Sequence, residues 1–138
     1  MKTQVLLDTD IVILLNRRHE IVRKHAANYL AHFHILSFTE LTWYEIVRGY
    51  RLVEAHHQLK TFESFSQNCN ILSLDRKALD YASIIYADLR RRGMLIGEMD
   101  ILIAGIALAN EMGVATRNVN HFSRIVGLHV EDWTLANI

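Results

Sequence analysis

The chain contains no proline, and cysteine and glycine are scarce. In 138 residues it has six glycines and a single cysteine, Cys69. A lone cysteine excludes an internal disulfide and suits a reducing compartment. We interpret Cys69 as a small buried apolar side chain rather than a reactive thiol. Without proline, the turns have to be made by glycine, asparagine, aspartate and serine.

The chain also lacks an excess of charge and a long apolar run. Its 15 basic and 15 acidic residues give a net charge of zero, so the overall charge does not indicate a nucleic-acid binder, although local basic clusters can still form. No uncharged stretch reaches the roughly 20 residues of a membrane span. The first residues lack the apolar segment and the small-residue cleavage site of a signal peptide, so none is expected. We therefore expect one ordered domain, residues 1–138, in the cytoplasm and without membrane contact.

Short apolar runs alternate with longer amphipathic segments, which predicts alternating strands and helices. Such alternation is typical of an α/β fold whose mostly parallel, short-stranded sheet is covered by helices on both faces. The predicted strands are residues 5–7, 35–36, 70–74, 114–116 and about 129–130. The predicted helices are residues 20–32, 37–53, a further helix to about 66, 75–92 and 99–111.

Helix-capping residues set three of these boundaries. Ser37 and Glu40 fit a capping box, Ser-x-x-Glu, which predicts that a helix begins there. Asp75 is a predicted N-cap of the next long helix. Basic residues followed by Gly93 predict the end of that helix, because glycine readily adopts the left-handed C-terminal conformation.

Three acidic residues, Asp8, Glu45 and Asp100, adjoin apolar runs that contain no lysine or arginine. A carboxylate near a core costs several kcal/mol unless a charge partner compensates it. In parallel α/β sheets the functional crevice lies at the carboxyl ends of the strands, where Asp8 is expected. A shared divalent cation would compensate all three carboxylates, and Mg²⁺ prefers such oxygen ligands.

Each acid also has a plain structural interpretation. Asp8 could cap a helix running to Asn16, and Asp100 could be an ordinary acid at a helix N-terminus. Glu45 could be a surface residue of an amphipathic helix whose Tyr44 and Val47 face inward. On residues and spacing alone, both interpretations stay open.

Five motifs follow one another along the chain: Leu6 to Asp10, Glu45-x-x-x-Gly49, Asp100-x-x-Ile103-Ala104, Thr116-Arg117-Asn118-x-x-x-Phe122 and Glu131-Asp132-Trp133. Their order resembles that of the PIN-domain ribonucleases, and among them the VapC-type toxins of bacterial toxin–antitoxin pairs. The resemblance implies an α/β/α sandwich, Mg²⁺- or Mn²⁺-dependent endoribonuclease activity, a homodimer and a small antitoxin that occludes the site. The aromatic residues Phe38, Trp43, Tyr44 and Tyr50, placed on one helix, slightly favour the dimer.

The resemblance also implies roles for individual residues. The metal-binding positions of the family match Asp8, Glu45 and Asp100. Asn118, where many relatives carry a fourth acid, is expected to assist them, and these four are the predicted catalytic residues. The hydroxyl positions match Thr9 and Thr116, which are expected to orient carboxylates or water.

Three further positions stand out. Arg117, beside Asn118, is the first candidate for an RNA phosphate contact. Asp10 stands where asparagine is common in the family, and it could add charge at the crevice or cap the first helix. Glu98 stands near a usual proline and is expected to face solvent.

Other functions fit the sequence less well. The opening Asp8-Thr9-Asp10 resembles that of haloacid-dehalogenase-like phosphatases, but Ile11 stands where glycine is expected. Arg51 and His56 match the Arg-x4-His pattern of metal-free HEPN ribonucleases, whose fold is all-helical. A PIN module that binds RNA or protein without cutting is the third alternative, suggested by Asn118. The histidines lack the spacing of a zinc site.

Overall fold

Five short strands and seven helices alternate along residues 2–137, the part of the chain that the computed structural model describes. None of the helices in this range is long and apolar enough to cross a membrane. In chain order the elements are β1 (Val5–Leu7), α1 (Thr9–Asn16), α2 (Glu20–Phe33), β2 (Leu36–Thr39), α3 (Glu40–Leu52), α4 (His56–Ser66), β3 (Cys69–Leu72), α5 (Arg76–Arg91), α6 (Glu98–Ala109), β4 (Gly113–Ala115), α7 (Val119–Phe122) and β5 (Val130–Glu131).

All of the paired strands run parallel. One hydrogen-bonded ladder joins β1, β4 and β5, and a second joins β2 and β3. Strand β2 lies against the free side of β1, so the spatial order is β3, β2, β1, β4, β5. The chain therefore builds outward from β1 to β3 and then crosses over to the opposite side of β1. Such a switch point, between β1 and β4, opens a crevice at the carboxyl ends of the two strands.

Helices cover both faces of the sheet, as predicted. Successive side chains of a strand point to opposite faces. Val5 and Leu7 pack into a core cluster with residues of α1 to α4, whereas Leu6 packs into a second cluster with α5 and α6. Since all three side chains of β1 are fully buried, the continuous apolar run Val5–Leu7 is the pattern of a strand covered on both sides.

The start of α3 corrects the predicted capping box. Thr39, not Ser37, is the N-cap, and its hydroxyl accepts a hydrogen bond from the Thr42 N–H at 3.1 Å. Ser37 and Phe38 belong to β2, which continues because it pairs with β3 as far as Thr39. Phe38 is thus a buried strand residue rather than part of an aromatic helix face.

Most other helix ends agree with the prediction. The Asp75 carboxylate caps α5 by accepting from the Ala78 N–H at 2.9 Å. Gly93 follows α5 at a φ of 65°, the left-handed conformation that its position requires. Helix α6 spans Glu98–Ala109, one residue earlier at its start and two at its end than predicted.

The last two strands pack closely at Gly113. This residue begins β4, one residue earlier than the predicted strand. A Cβ atom there would lie 2.5 Å from the carbonyl oxygen of His129. Glycine is therefore required for β5 to approach β4.

Candidate active site

Asp8 lies at the switch point, directly after β1. Its backbone N–H donates to the Ala115 carbonyl at 2.9 Å, which continues the β1–β4 ladder. One carboxylate oxygen accepts from the Thr9 N–H at 2.8 Å, and the other accepts from the Thr116 hydroxyl at 2.8 Å. With 6% exposure, Asp8 is both the N-cap of α1 and a buried crevice carboxylate.

The pKa of Asp8 is raised to about 7, mainly by burial and also by the nearby charges of Asp10 and Asp100. The hydrogen bonds from Thr116 and Thr9 act in the opposite direction. The ionised form of Asp8 therefore lies in a crevice where like charges oppose it. A bound cation would stabilise that form.

Thr9, the residue that follows Asp8, connects Glu45 to Asp8. The Thr9 hydroxyl donates to Glu45 Oε1 at 2.8 Å and lies 3.0 Å from the hydroxyl of buried Thr42. These contacts bring the mid-helix acid of α3 to the start of α1. The interpretation of Glu45 as a surface residue placed Tyr44 and Val47 inward; Val47 is buried, but Tyr44 is 52% exposed.

Asp100 belongs to the first turn of α6, on the other side of the crevice. Its Oδ2 lies 3.2 Å from His121 Nδ1, and the same nitrogen lies 2.8 Å from the side-chain amide of Asn118. The Asn118 backbone N–H donates to the Thr116 hydroxyl at 2.9 Å. A network of polar contacts therefore runs from Asp8 through Thr116, Asn118 and His121 to Asp100.

His121 is the site residue that the sequence analysis missed. Its Nδ1 carries either a hydrogen or a lone pair, so it cannot donate to Asp100 and accept from Asn118 at the same time. The tautomer of His121 and the orientation of the Asn118 amide are therefore coupled. A histidine three residues after Asn118 lies one helical turn away, and that spacing is the signal that could have identified it.

Asp10 and Arg117 contact each other beside the crevice, whereas Glu98 is the first residue of α6. Asp10 Oδ2 accepts from the Arg117 backbone N–H at 3.0 Å, and within residues 2–137 its buried Oδ1 has no hydrogen-bond partner. Asp8, not Asp10, is the N-cap of α1. The charge of Asp10 raises the pKa of Asp8, and burial raises the pKa of Asp10 itself. Arg117 is exposed at the end of β4, and Glu98 is exposed as predicted.

The donor chemistry fits a hard divalent cation, because the candidate ligands are carboxylate oxygens with an amide nearby. In this structure, however, the side chains are not arranged to bind such a cation. Within residues 2–137, no group of three histidine, cysteine, aspartate or glutamate side chains has an arrangement that could hold a metal ion. The contacts above explain this, since Glu45 is turned toward Thr9 and Asp100 toward His121.

Comparisons with known proteins agree with this geometry. The family model of the PIN domain matches residues 5–128. The chain is 30% identical over 99 residues to the tRNA(fMet)-specific endonuclease VapC of Salmonella typhimurium, covering 71% of this chain and 75% of that protein. It is 27% identical to the tRNA(fMet)-specific endonuclease VapC of Shigella flexneri, with 94% and 97% covered.

Solved structures give the same result. The crystal structure of DNA-bound VapBC from Salmonella typhimurium superimposes with a TM-score of 0.84 at 27% identity, covering 96% of this chain and 99% of that chain. VapBC-1 from nontypeable Haemophilus influenzae also gives 0.84, at 26% identity, with 95% and 98% covered. The chain belongs to the PIN domain family, and within it these relatives place it with the VapC proteins. The predicted family and the predicted α/β/α fold are thereby confirmed.

Proposed function

We propose that this chain is an endoribonuclease that acts as the toxin of a toxin–antitoxin pair. Relatives named as VapC ribonucleases and endonucleases, and neighbours solved as VapBC complexes, support this class of function. The observation that carries the proposal is the network joining Asp8 to Asp100 across the switch point, with Glu45 connected to it by Thr9. Three acids from distant parts of the sequence thus reach one crevice.

We further infer that cleavage depends on a divalent cation, Mg²⁺ or alternatively Mn²⁺. Asp8, Glu45 and Asp100 would hold it, with Asn118 assisting. Bound there, the ion would supply charge stabilisation at the phosphate and lower the pKa of a water. The raised pKa of Asp8 supports this inference, because its causes are burial and like charge, which a cation offsets.

The chain's own residues position these groups. Thr116 directs its hydroxyl hydrogen at one oxygen of Asp8, and Thr9 does the same for Glu45. His121 holds Asp100 and Asn118 together on the opposite side. In the proposed reaction a water attacks the phosphorus of an RNA phosphodiester in line with the bond to the 3′ oxygen. That bond breaks, leaving a 5′-phosphate and a 3′-hydroxyl.

The proposed partners follow from the same likeness. The structural neighbours include VapBC toxin–antitoxin complexes, which supports a small antitoxin as the protein partner of this chain. We also propose a homodimer. The aromatic residue Trp43 remains exposed on α3, although Phe38 does not contribute to that face.

The decisive experiment is cleavage of a total RNA pool by the purified, antitoxin-free protein in Mg²⁺ and in excess chelator. Asp100→Asn is run alongside, and Glu98→Gln is its matched control, an exposed acid two residues away on the same helix. Cutting that requires both the metal and Asp100, but not Glu98, is the expected result. Equal cutting by Asp100→Asn and the parent would contradict the assignment.

Two other outcomes would favour the alternatives. Cutting that survives chelator would revive a metal-free mechanism at Arg51 and His56, but the parallel sheet and the family match already argue against an all-helical HEPN fold. RNA binding without any cutting would indicate a non-catalytic module. Replacing Asn118 by aspartate would then test whether the missing fourth acid is the cause.

A further inference from the structure

The crevice concentrates negative charge, and none of the predicted catalytic residues is basic. Asp8, Asp10, Glu45 and Asp100 bring negative charge to one place, while an RNA strand carries a negative phosphate at every step. Productive binding therefore needs basic groups beside the crevice that are free to contact phosphate.

Arg48 meets this requirement. It lies three residues after Glu45, hence on the same side of α3 and about 4.5 Å further along the helix axis. Within residues 2–137 its guanidinium forms no hydrogen bond or salt bridge, and its side chain is exposed. Gly49 beside it leaves open space, since a Cβ atom there would meet nothing within 4 Å.

An aromatic ring holds this guanidinium. Arg48 Cζ lies 5.0 Å from the centroid of the Tyr44 ring, a cation–π contact between residues four apart on one helix. Tyr44, the residue before Glu45, is 52% exposed, so the ring is also accessible to a ligand. A free basic group and an accessible aromatic ring thus lie together within one turn of a site carboxylate.

We propose that Tyr44 and Arg48 form the subsite for an unpaired nucleotide of the RNA, next to the bond that is cut. Arg48 contacts the phosphate, and Tyr44 stacks on the base. The nucleotide is unpaired because a base inside a duplex has both of its faces covered, whereas single-stranded segments and loops expose them. This inference rests on the proposed function, of which it names the substrate class.

A second tyrosine–arginine pair provides a matched control. On α5, Arg90 Nη1 donates to the Tyr86 hydroxyl at 3.4 Å, with the same spacing of four residues. Both residues are exposed, and neither belongs to the network of polar contacts in the crevice. If Tyr44 and Arg48 served only to stabilise their helix, the two pairs would respond alike to substitution.

Binding is measured separately from cleavage, in the Asp100→Asn background. The probes are a fluorescein-labelled, unstructured 12-nucleotide RNA and a fully paired duplex of the same sequence. Tyr44→Ala and Arg48→Ala are each expected to weaken binding of the single strand about tenfold. Tyr44→Phe keeps the aromatic ring and is expected to bind with near-parental affinity. Arg48→Lys keeps the positive charge but loses the planar guanidinium group.

Salt dependence and the control pair complete the test. Arg48→Ala is expected to reduce the slope of log affinity against log salt by about one, while Tyr44→Ala leaves it unchanged. Tyr86→Ala and Arg90→Ala are expected to bind as the background does. Equal losses of RNA affinity in both pairs of variants would overturn the proposal. Unchanged RNA affinity in both pairs would also overturn it, and would indicate that the exposed pair on α3 contacts a protein partner instead.

Cleavage distinguishes a failure of this inference from a failure of the proposed function. In the otherwise unmodified protein, Tyr44→Ala is expected to raise KM about tenfold with little change in kcat. Metal- and Asp100-dependent cutting with unchanged KM would overturn the subsite but keep the nuclease. Absence of cutting by the parent would overturn the nuclease, while the binding measurement still decides the role of Tyr44 and Arg48.

Discussion

The two sides of the crevice hold their carboxylates differently. On the β1 side, Asp8 is 6% exposed and accepts hydrogen bonds from a backbone N–H and from buried Thr116. On the α6 side, the Asp100 side chain is 22% exposed and contacts one ring nitrogen of His121, which is itself 38% exposed. One carboxylate is enclosed by the core of the fold, and the other is partly exposed to solvent.

The difference indicates that Asp8 and Asp100 have different roles in the site. A buried, doubly bonded carboxylate has little freedom to turn, so Asp8 is pre-oriented at the expense of desolvation. Asp100 has one directional contact and more solvent, so it can turn toward a ligand at small cost. A site built this way keeps one group fixed while another adapts, and the following predictions test that contrast.

The largest effect is expected from Asp8→Asn. Loss of the fixed carboxylate should reduce RNA cleavage by at least about 100-fold, the scale associated with losing one preorganised electrostatic group. Thermal unfolding without metal should not become easier, because the substitution removes a buried charge that has no counter-ion. Asp75→Asn, which replaces one good N-cap by another, is the control and should cut as the parent does. Undiminished cutting by Asp8→Asn would remove this residue from the mechanism.

The second effect is a dependence of metal-free stability on pH. The pKa of Asp8 is raised from 3.8 to about 7, so the folded state binds its proton more tightly than the unfolded state does. Its contribution to stability is complete below pH 4 and is lost as the pH rises through 7. Between pH 5 and 8 the free energy of unfolding should fall by up to a few kcal/mol.

Urea unfolding at several pH values, with and without Mg²⁺, measures this dependence. Added Mg²⁺ should stabilise the protein more at pH 8 than at pH 5, and Asp8→Asn should flatten the metal-free profile. A parental profile that is already flat would mean that Asp8 is not held as a buried acid.

Third, Thr116→Val should destabilise the protein by about 1–3 kcal/mol, because a buried oxygen of Asp8 and the Asn118 N–H each lose their partner. Ser83→Ala, which removes an exposed hydroxyl bonded to the Asp80 carbonyl, is the control. Denaturant unfolding at pH 8 measures both variants. Equal, small changes would show that the Thr116 hydroxyl does not support Asp8.

The smallest effect is expected from His121→Ala. Its contact with Asp100 is partly exposed and screened by solvent, so the free energy of unfolding should change by less than about 1 kcal/mol. The same denaturant series measures it. A loss as large as that of Thr116→Val would contradict the contrast between a fixed and an adaptable side.

The fold was predictable where a local pattern decides it. The run Val5–Leu7, the cap at Asp75 and the turn at Gly93 depend on burial, capping and backbone freedom that adjacent residues reveal. The start of α3 was not predictable in this way. Ser37 is as good a cap as Thr39, and only the pairing of β2 with β3, between residues 33 positions apart, keeps Ser37 in a strand.

The candidate site was partly predictable for the same reason. Asp8 and Glu45 interrupt apolar sequence and therefore stand out, whereas His121 lies in a polar segment that resembles an ordinary loop. Its helix, α7, has four residues, too few for a periodic pattern. The pairing of His121 with Asp100 depends on two elements meeting in space, 21 residues apart in sequence.

The position of β4 beside β1 also determines when the crevice can exist. The hydroxyl that supports Asp8 comes from a residue 108 positions later. Contacts of such long sequence separation form slowly, since the loop-closure entropy must be overcome first. During synthesis, a nascent chain that has emerged only as far as β3 has Asp8 and Glu45 but neither Asp100 nor Thr116. The crevice is therefore completed only after α6, β4 and α7 have also left the ribosome.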